Sequence, residues 1–103
     1  MIIPKSYEEI AGYVEAGKNV FFFTADWCGD CVYIKPAMPE IEAEFPEFTF
    51  VQIDRDEYLE LCQKWNIMGI PSFIVLEDGQ ELGRLVNKLR KTKTEIVEFL
   101  QQF

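Results

Sequence analysis

The sequence predicts an α/β fold in which a central mixed β-sheet carries helices on both faces, within a single domain spanning residues 1–103. Short apolar runs alternate with segments of helical spacing along most of the chain, which favours parallel strands joined by helices. Asp78-Gly79 separates two later apolar segments and is a hairpin turn signal. Ser6 to Glu9 and Thr92 to Glu95 both fit the helix capping box.

These signals define the elements in chain order. Val20 to Ala25 is a mostly apolar run, typical of a buried central strand. Pro36 and Pro39 interrupt the helical spacing that follows, so we expect a helix kinked near Pro36. The predicted elements are an edge strand at Ile2-Ile3, a helix at 6–16 ended by Gly17, a strand at 19–25, the kinked helix at 32–45, a strand at 48–53, a helix at 56–65, hairpin strands at 72–76 and 82–86, and a last helix opening at Thr92.

Composition and charge exclude several classes of function. Of the 103 residues 49% are hydrophobic, enough for one folded core, and the net charge of −8 argues against binding a nucleic acid backbone. The chain has no histidine, which excludes imidazole metal ligands and Ser-His or Cys-His nucleophiles. No apolar run approaches the roughly 20 residues of a membrane span, and no signal-peptide pattern opens the chain. We therefore expect a soluble monomer of the reducing cytoplasm.

The chemistry is predicted to centre on Cys28 and Cys31, within the segment Trp27-Cys28-Gly29-Asp30-Cys31. The pair falls between the buried strand and the start of the next helix. Free backbone N–H groups and the helix dipole favour an anion there, and a thiolate is the form of cysteine that attacks disulfides. We expect Cys28 to be the nucleophile and Cys31, one turn later, to resolve the mixed disulfide.

Two other interpretations of the cysteines remain open on the residues alone. A zinc site would usually need four ligands, and only Cys62 and carboxylates are left to complete it. A structural pair without turnover is the second alternative. Cys62 itself is expected to be a buried helix residue, with a regulatory thiol as the alternative.

Several motifs together resemble the thioredoxin family over roughly residues 5–103. A lone C-x-x-C pair is a weak signal, but here it follows a buried strand and further motifs accompany it. These are Ala25-Asp26-Trp27 before the pair, Pro36 five residues after it, Ile53-Asp54, and Gly69-Ile70-Pro71-Ser72-Phe73 before the hairpin. The resemblance implies the thioredoxin fold, a central mixed sheet flanked by helices on both faces.

The resemblance also implies roles for residues outside the pair. Trp27 would cover the active site, with its indole N–H donating to Asp54, while Gly29 and Asp30 support the cysteines. Ile70-Pro71 would be a cis peptide bond facing them. Trp27, Met68, Ile70, Pro71 and Asn87 would form an apolar groove in which an extended substrate segment pairs with the Ile70 backbone.

The chain departs from the family pattern at four positions. Phe22 and Phe50 stand where typical members carry a buried aspartate and lysine, and Asn87 replaces a glycine. Asp30 stands where proline is commonest, and we expect its carboxylate to disfavour the Cys28 thiolate and make the protein more reducing. Four basic residues near the last helix are expected to be a solvated loop or, alternatively, to steer acidic partners: Lys88, Arg90, Lys91 and Lys93.

The predicted function is thiol–disulfide oxidoreduction, in which the Cys28–Cys31 pair reduces disulfides of substrate proteins. The resemblance implies no bound cofactor and recharging by a thioredoxin reductase-like flavoprotein that uses NADPH. Nucleic acid, membrane and metal are not expected as partners. A reductase dedicated to one partner or small disulfide, and a non-catalytic binding module on the same fold, are the alternatives.

Overall fold

A computed structural model describes residues 1–103. Its elements are α1 (Tyr7–Glu15), β1 (Lys18–Thr24), α2 (Gly29–Ile34), a 3₁₀ turn (Lys35–Ala37), α3 (Met38–Glu44), β2 (Thr49–Asp54), α4 (Leu59–Lys64), β3 (Ser72–Glu77), β4 (Gln80–Leu85) and α5 (Lys93–Leu100). The four strands form one sheet in the order β2-β1-β3-β4. Strand β1 pairs parallel with β2 and antiparallel with β3, so the predicted mixed sheet is confirmed.

Alternating side chains of the sheet build two cores. Phe22 and Phe73 point to one face, where they stack with ring centroids 5.0 Å apart and pack with α2, α3 and α5. Phe21 and Phe23 point to the opposite face, where they pack with α1 and α4. Because successive residues of a strand face opposite sides, both faces of β1 must be apolar, which explains its phenylalanine run.

Local signals set the ends of several helices as predicted. The Ser6 hydroxyl accepts a hydrogen bond from the Glu9 backbone N–H, and Thr92 does the same for Glu95. The expected kink at Pro36 is a full break, because the long helix is divided by the 3₁₀ turn into α2 and α3. Proline has no N–H to donate, and 3₁₀ geometry accommodates that loss.

Several predicted boundaries need correction, and the helix predicted to begin at residue 32 begins at Gly29. Ile2 forms a single parallel bridge to Val51 rather than a strand. The first helix ends at Glu15, and the predicted helix at 56–65 is shorter because a turn occupies its first residues. The second hairpin strand begins at Gln80, directly after the predicted Asp78-Gly79 turn. None of the helices combines the length and apolarity that crossing a bilayer requires.

Candidate active site

Cys28 and Cys31 lie where β1 ends and α2 begins, as predicted. Cys28 is the N-cap of α2, and its sulfur accepts a hydrogen bond from the Cys31 backbone N–H at 3.2 Å. Both residues are free thiols, 7% and 1% exposed respectively. The helix start therefore supplies an N–H donor to the Cys28 sulfur, which favours negative charge on it.

The two thiols differ in what surrounds them. Cys28 lines a surface cavity, whereas Cys31 lies beneath it. Burial, and next the hydrogen bond with Cys28, raise the pKa of the Cys31 thiol to about 11, while the Thr24 side chain and the Ala25 backbone act in the opposite direction. At neutral pH Cys31 therefore keeps its proton.

The Ile70-Pro71 peptide bond is cis, which confirms the prediction. The Ile70 carbonyl oxygen is 3.8 Å from the Cys28 sulfur, and Ile70 packs against the small cluster that holds Ala25 and the two cysteines. Pro71 is buried behind this contact. The loop before β3 thus forms one wall beside Cys28.

A cavity of about 240 Å³ adjoins Cys28. Trp27 and Met68, 64% and 73% exposed, form much of its apolar lining together with Ile70. Arg55 and Lys88 add positive charge at its margin. Of the residues expected to form a substrate groove, Trp27, Met68 and Ile70 line this cavity, whereas Pro71 and Asn87 do not.

The structure corrects the partner of Trp27. Its indole N–H donates to the Asp56 carboxylate at 2.6 Å, not to Asp54. Asp54 is engaged elsewhere, since one of its oxygens accepts the backbone N–H groups of Asp56 and Glu57. The Arg55 guanidinium lies 5.3 Å from the Trp27 ring centroid and also pairs with Asp56.

Sequence reasoning missed Arg55 and Asp56 as members of this site. A signal for them did exist. They directly follow β2, and the carboxyl ends of adjacent parallel strands meet at the same edge of a sheet, where ligands of α/β proteins bind. Because β1 and β2 are parallel neighbours, the end of β2 must lie near the cysteines that follow the end of β1.

Asp30 is paired with a residue that sequence reasoning placed in a solvated loop. Its carboxylate accepts from the Arg90 guanidinium at 2.9 Å, and Arg90 also lies 4.1 Å from the Tyr33 ring centroid. Lys93 pairs with Glu40, and Lys91 is fully buried. The expected solvated basic loop is therefore wrong for Lys91, whereas Arg90 is exposed as expected, with its side chain 55% accessible. Of the four basic residues only Lys88 borders the groove.

Two further sequence expectations concern the core. Phe22 and Phe50 are buried among apolar side chains of one core, which holds neither a carboxylate nor a lysine at those positions. Cys62 is buried on α4 in the other core, out of contact with the pair, as expected of a helix core residue. No group of three potential metal ligands comes together in the structure.

Comparison with known proteins agrees with this geometry. The family model described as Thioredoxin matches residues 3–102. A thioredoxin H-type from Oryza sativa subsp. indica is 41% identical over 73 residues, covering 70% of this chain and 60% of that protein. Thioredoxin-2, mitochondrial, from Schizosaccharomyces pombe is 30% identical over 84 residues, covering 82% and 63%.

Solved structures extend the agreement to the whole chain. A crystal structure of thioredoxin from Trypanosoma brucei brucei superposes with a TM-score of 0.88 at 27% identity, covering 99% of this chain and 88% of that one. A dithiol pair at a strand-to-helix turn beside a cis-proline defines a thioredoxin-like domain. The chain belongs to the thioredoxin family. Its matched segment spans half to two thirds of the length of the first curated relatives.

Proposed function

We propose that this protein is a thiol–disulfide oxidoreductase that reduces disulfides of substrate proteins through Cys28 and Cys31. The observation that carries the proposal is the asymmetry of the pair. Cys28 opens onto the apolar groove and accepts a helix N–H, whereas Cys31 lies beneath it. Family membership supports the same activity.

The reaction follows from that asymmetry. The Cys28 thiolate attacks one sulfur of the substrate disulfide, and the other sulfur leaves as a thiolate that takes a proton from water. Cys31 then loses its proton and attacks the Cys28 sulfur, which breaks the mixed disulfide and releases the second substrate thiolate. Two electrons pass to the substrate, and the pair is left as a disulfide.

The groove supports proteins as substrates. Its apolar lining by Trp27 and Met68 suits an extended segment, and the Ile70 carbonyl is available beside the reacting sulfur. The recharging step is assigned to a flavoprotein reductase that draws electrons from NADPH, with no cofactor held by this chain. We assign the protein to the cytoplasm, because a dithiol needs a reducing compartment to stay reduced. We also propose that it acts as a monomer.

Reduction of insulin, coupled to NADPH and a thioredoxin reductase, tests the activity. The wild type should reduce insulin, and Cys28→Ser should abolish turnover. Cys31→Ser should accumulate a mixed disulfide visible by mass spectrometry, while the matched control Cys62→Ala retains wild-type turnover. Trapping by Cys28→Ser instead of Cys31→Ser would reverse the assignment of the two thiols. A wild type that reduces insulin no faster than dithiothreitol alone would favour the binding-module alternative.

A further inference from the structure

The groove beside Cys28 carries the opposite charge from the molecule as a whole. The chain has 18 acidic residues against 10 basic ones, and its net charge is −8. Among the residues that line the groove, Arg55 and Lys88 are charged and no carboxylate occurs. A substrate segment that enters the groove therefore meets two cations and no anion in its lining.

The two cations reach the groove from opposite edges of the sheet. In the strand order β2-β1-β3-β4, the edge strands are β2 and β4, and Cys28 follows the central strand β1. Arg55 directly follows β2, whereas Lys88 lies in the loop after β4. That loop is held against the loop before β3, since a Cβ added at Gly69 would lie 2.7 Å from the Lys88 backbone nitrogen. The fold thus brings one cation to the groove from each side.

Arg55 is held in place and still has donors to offer. Its guanidinium carbon lies 5.3 Å from the Trp27 ring centroid, and its Nε lies 3.1 Å from the Asp56 carboxylate. Nε is buried but has no hydrogen-bond partner, so Asp56 meets it as a charge without the alignment of a hydrogen bond. A guanidinium presents its N–H donors in a planar fork that matches a carboxylate. Arg55 can therefore bind a second carboxylate that a substrate supplies.

Lys88 is the second cation that is free to meet a substrate. Its side chain is exposed and takes part in no ion pair. Two neighbouring cations of the same stretch are engaged, because Arg90 pairs with Asp30 and Lys93 pairs with Glu40. The charge of Lys88 is therefore left for a group that comes from outside the chain.

We propose that Arg55 and Lys88 are specificity-determining residues, which select protein disulfides that carry an aspartate or glutamate beside the reacting cysteine. The carboxylate of that residue binds the two cations at the margin of the groove, while the disulfide lies against Cys28. Charge pairs at such a margin speed the encounter and fix the register of a bound segment. The inference rests on the proposed function, since it concerns which disulfides that reaction accepts.

Single-turnover reduction of matched peptides tests the proposal. Reduced protein is mixed with one of two disulfide peptides that differ only in having glutamate or glutamine beside a cysteine, and the rate constant is measured from the peptide thiols formed. The wild type should reduce the glutamate peptide about threefold to tenfold faster at low salt, as expected for one or two partly exposed charge pairs. Added salt should remove most of this preference, because it screens exposed charges. Equal rates for the two peptides overturn the proposal, and this comparison requires no variant to fold.

Charge-neutral variants assign the preference to particular residues. Arg55→Gln and Lys88→Gln should each lower the ratio of the glutamate rate to the glutamine rate, and the double variant should bring it to about one. Lys64→Gln makes the same change in net charge at an exposed lysine of α4 that does not line the groove, and it should keep the wild-type ratio. A double variant that keeps the wild-type ratio overturns the assignment.

The outcomes separate this inference from the proposed function. A protein that reduces both peptides equally is a disulfide reductase without this preference, so the inference alone fails. A protein that reduces neither peptide overturns both. Oxidised glutathione is a small disulfide that has carboxylates of its own. If the protein reduces it faster than the glutamate peptide, the choice of a protein segment as occupant of the groove is overturned.

Discussion

Gly69 is the position at which a single methyl group should damage both stability and activity. A Cβ added there would lie 2.4 Å from the Asn87 carbonyl oxygen and 2.7 Å from the Lys88 backbone nitrogen. Both neighbours are backbone atoms, so neither can rotate away. Ordinary contact begins near 3.4 Å, which requires a displacement of about 1 Å between the loop before β3 and the loop after β4.

The expected cost of Gly69→Ala is about 1–3 kcal/mol of unfolding free energy, as for other overpacked sites. For a domain of this size each kcal/mol lowers Tm by about 4–8 °C. The displaced loop also carries Ile70, whose carbonyl is 3.8 Å from the Cys28 sulfur. We therefore expect kcat/KM for insulin to fall about tenfold or more, because reacting groups lose their alignment.

Thermal unfolding and the coupled insulin assay measure the two effects. The matched control is Gly12→Ala, an exposed position in α1 where an added Cβ meets nothing within 4 Å. That change should stabilise the protein by about 0.5–1 kcal/mol, since alanine is the better helix former. A Gly69→Ala protein with wild-type Tm and wild-type kcat/KM would refute the reasoning from the close approach of the two loops.

Two further predictions follow from paired and buried groups. Arg90→Gln should leave the Asp30 carboxylate unpaired and make the protein more reducing, whereas Asp30→Asn should make it more oxidising. Equilibration with glutathione should show the equilibrium constant changing roughly twofold to eightfold, in opposite directions in the two variants. An unchanged equilibrium constant in both variants would mean that solvent screens both charges. Burial raises the pKa of Cys62 to about 11, so the folded protein holds a proton that the unfolded chain releases above about pH 9. Unfolding free energy should therefore fall between about pH 9 and pH 11, and by less in Cys62→Ala; equal slopes in urea titrations would contradict this.

The sequence was most informative where a local rule determines structure. The capping boxes at Ser6 and Thr92, the break at Pro36 and the turn at Asp78-Gly79 each depend on residues a few positions apart. Such rules act through steric clashes and hydrogen bonds between residues close in sequence, so the spacing of residue types along the chain is enough to reveal them. The start of α4 was harder to predict. The Asp54 carboxylate accepts hydrogen bonds from the backbone N–H groups of Asp56 and Glu57, so a turn takes the place of the first predicted helical turn.

The site was predictable in its cysteines and cis-proline but not in its charges. Which aspartate meets Trp27 depends on which carboxylate is already used for the turn, and only the folded chain decides that. Lys91 was expected to be solvated because it lies in a basic stretch. Its burial results from the loop folding around its ammonium, a long-range feature with no periodic signal.

The two outer strands of the sheet bear on how the chain avoids pairing with other chains. Along β2, Ile2 occupies the free edge, since its N–H donates to Phe50 and its carbonyl accepts from Gln52. Along β4, a register shift opposite Val75 and Leu76 and the ion pair of Glu81 with Arg84 interrupt the other edge. Open, regular edges are where strands of separate molecules add to one another. Neither edge of the sheet in this 49% hydrophobic chain is therefore open and regular along its length.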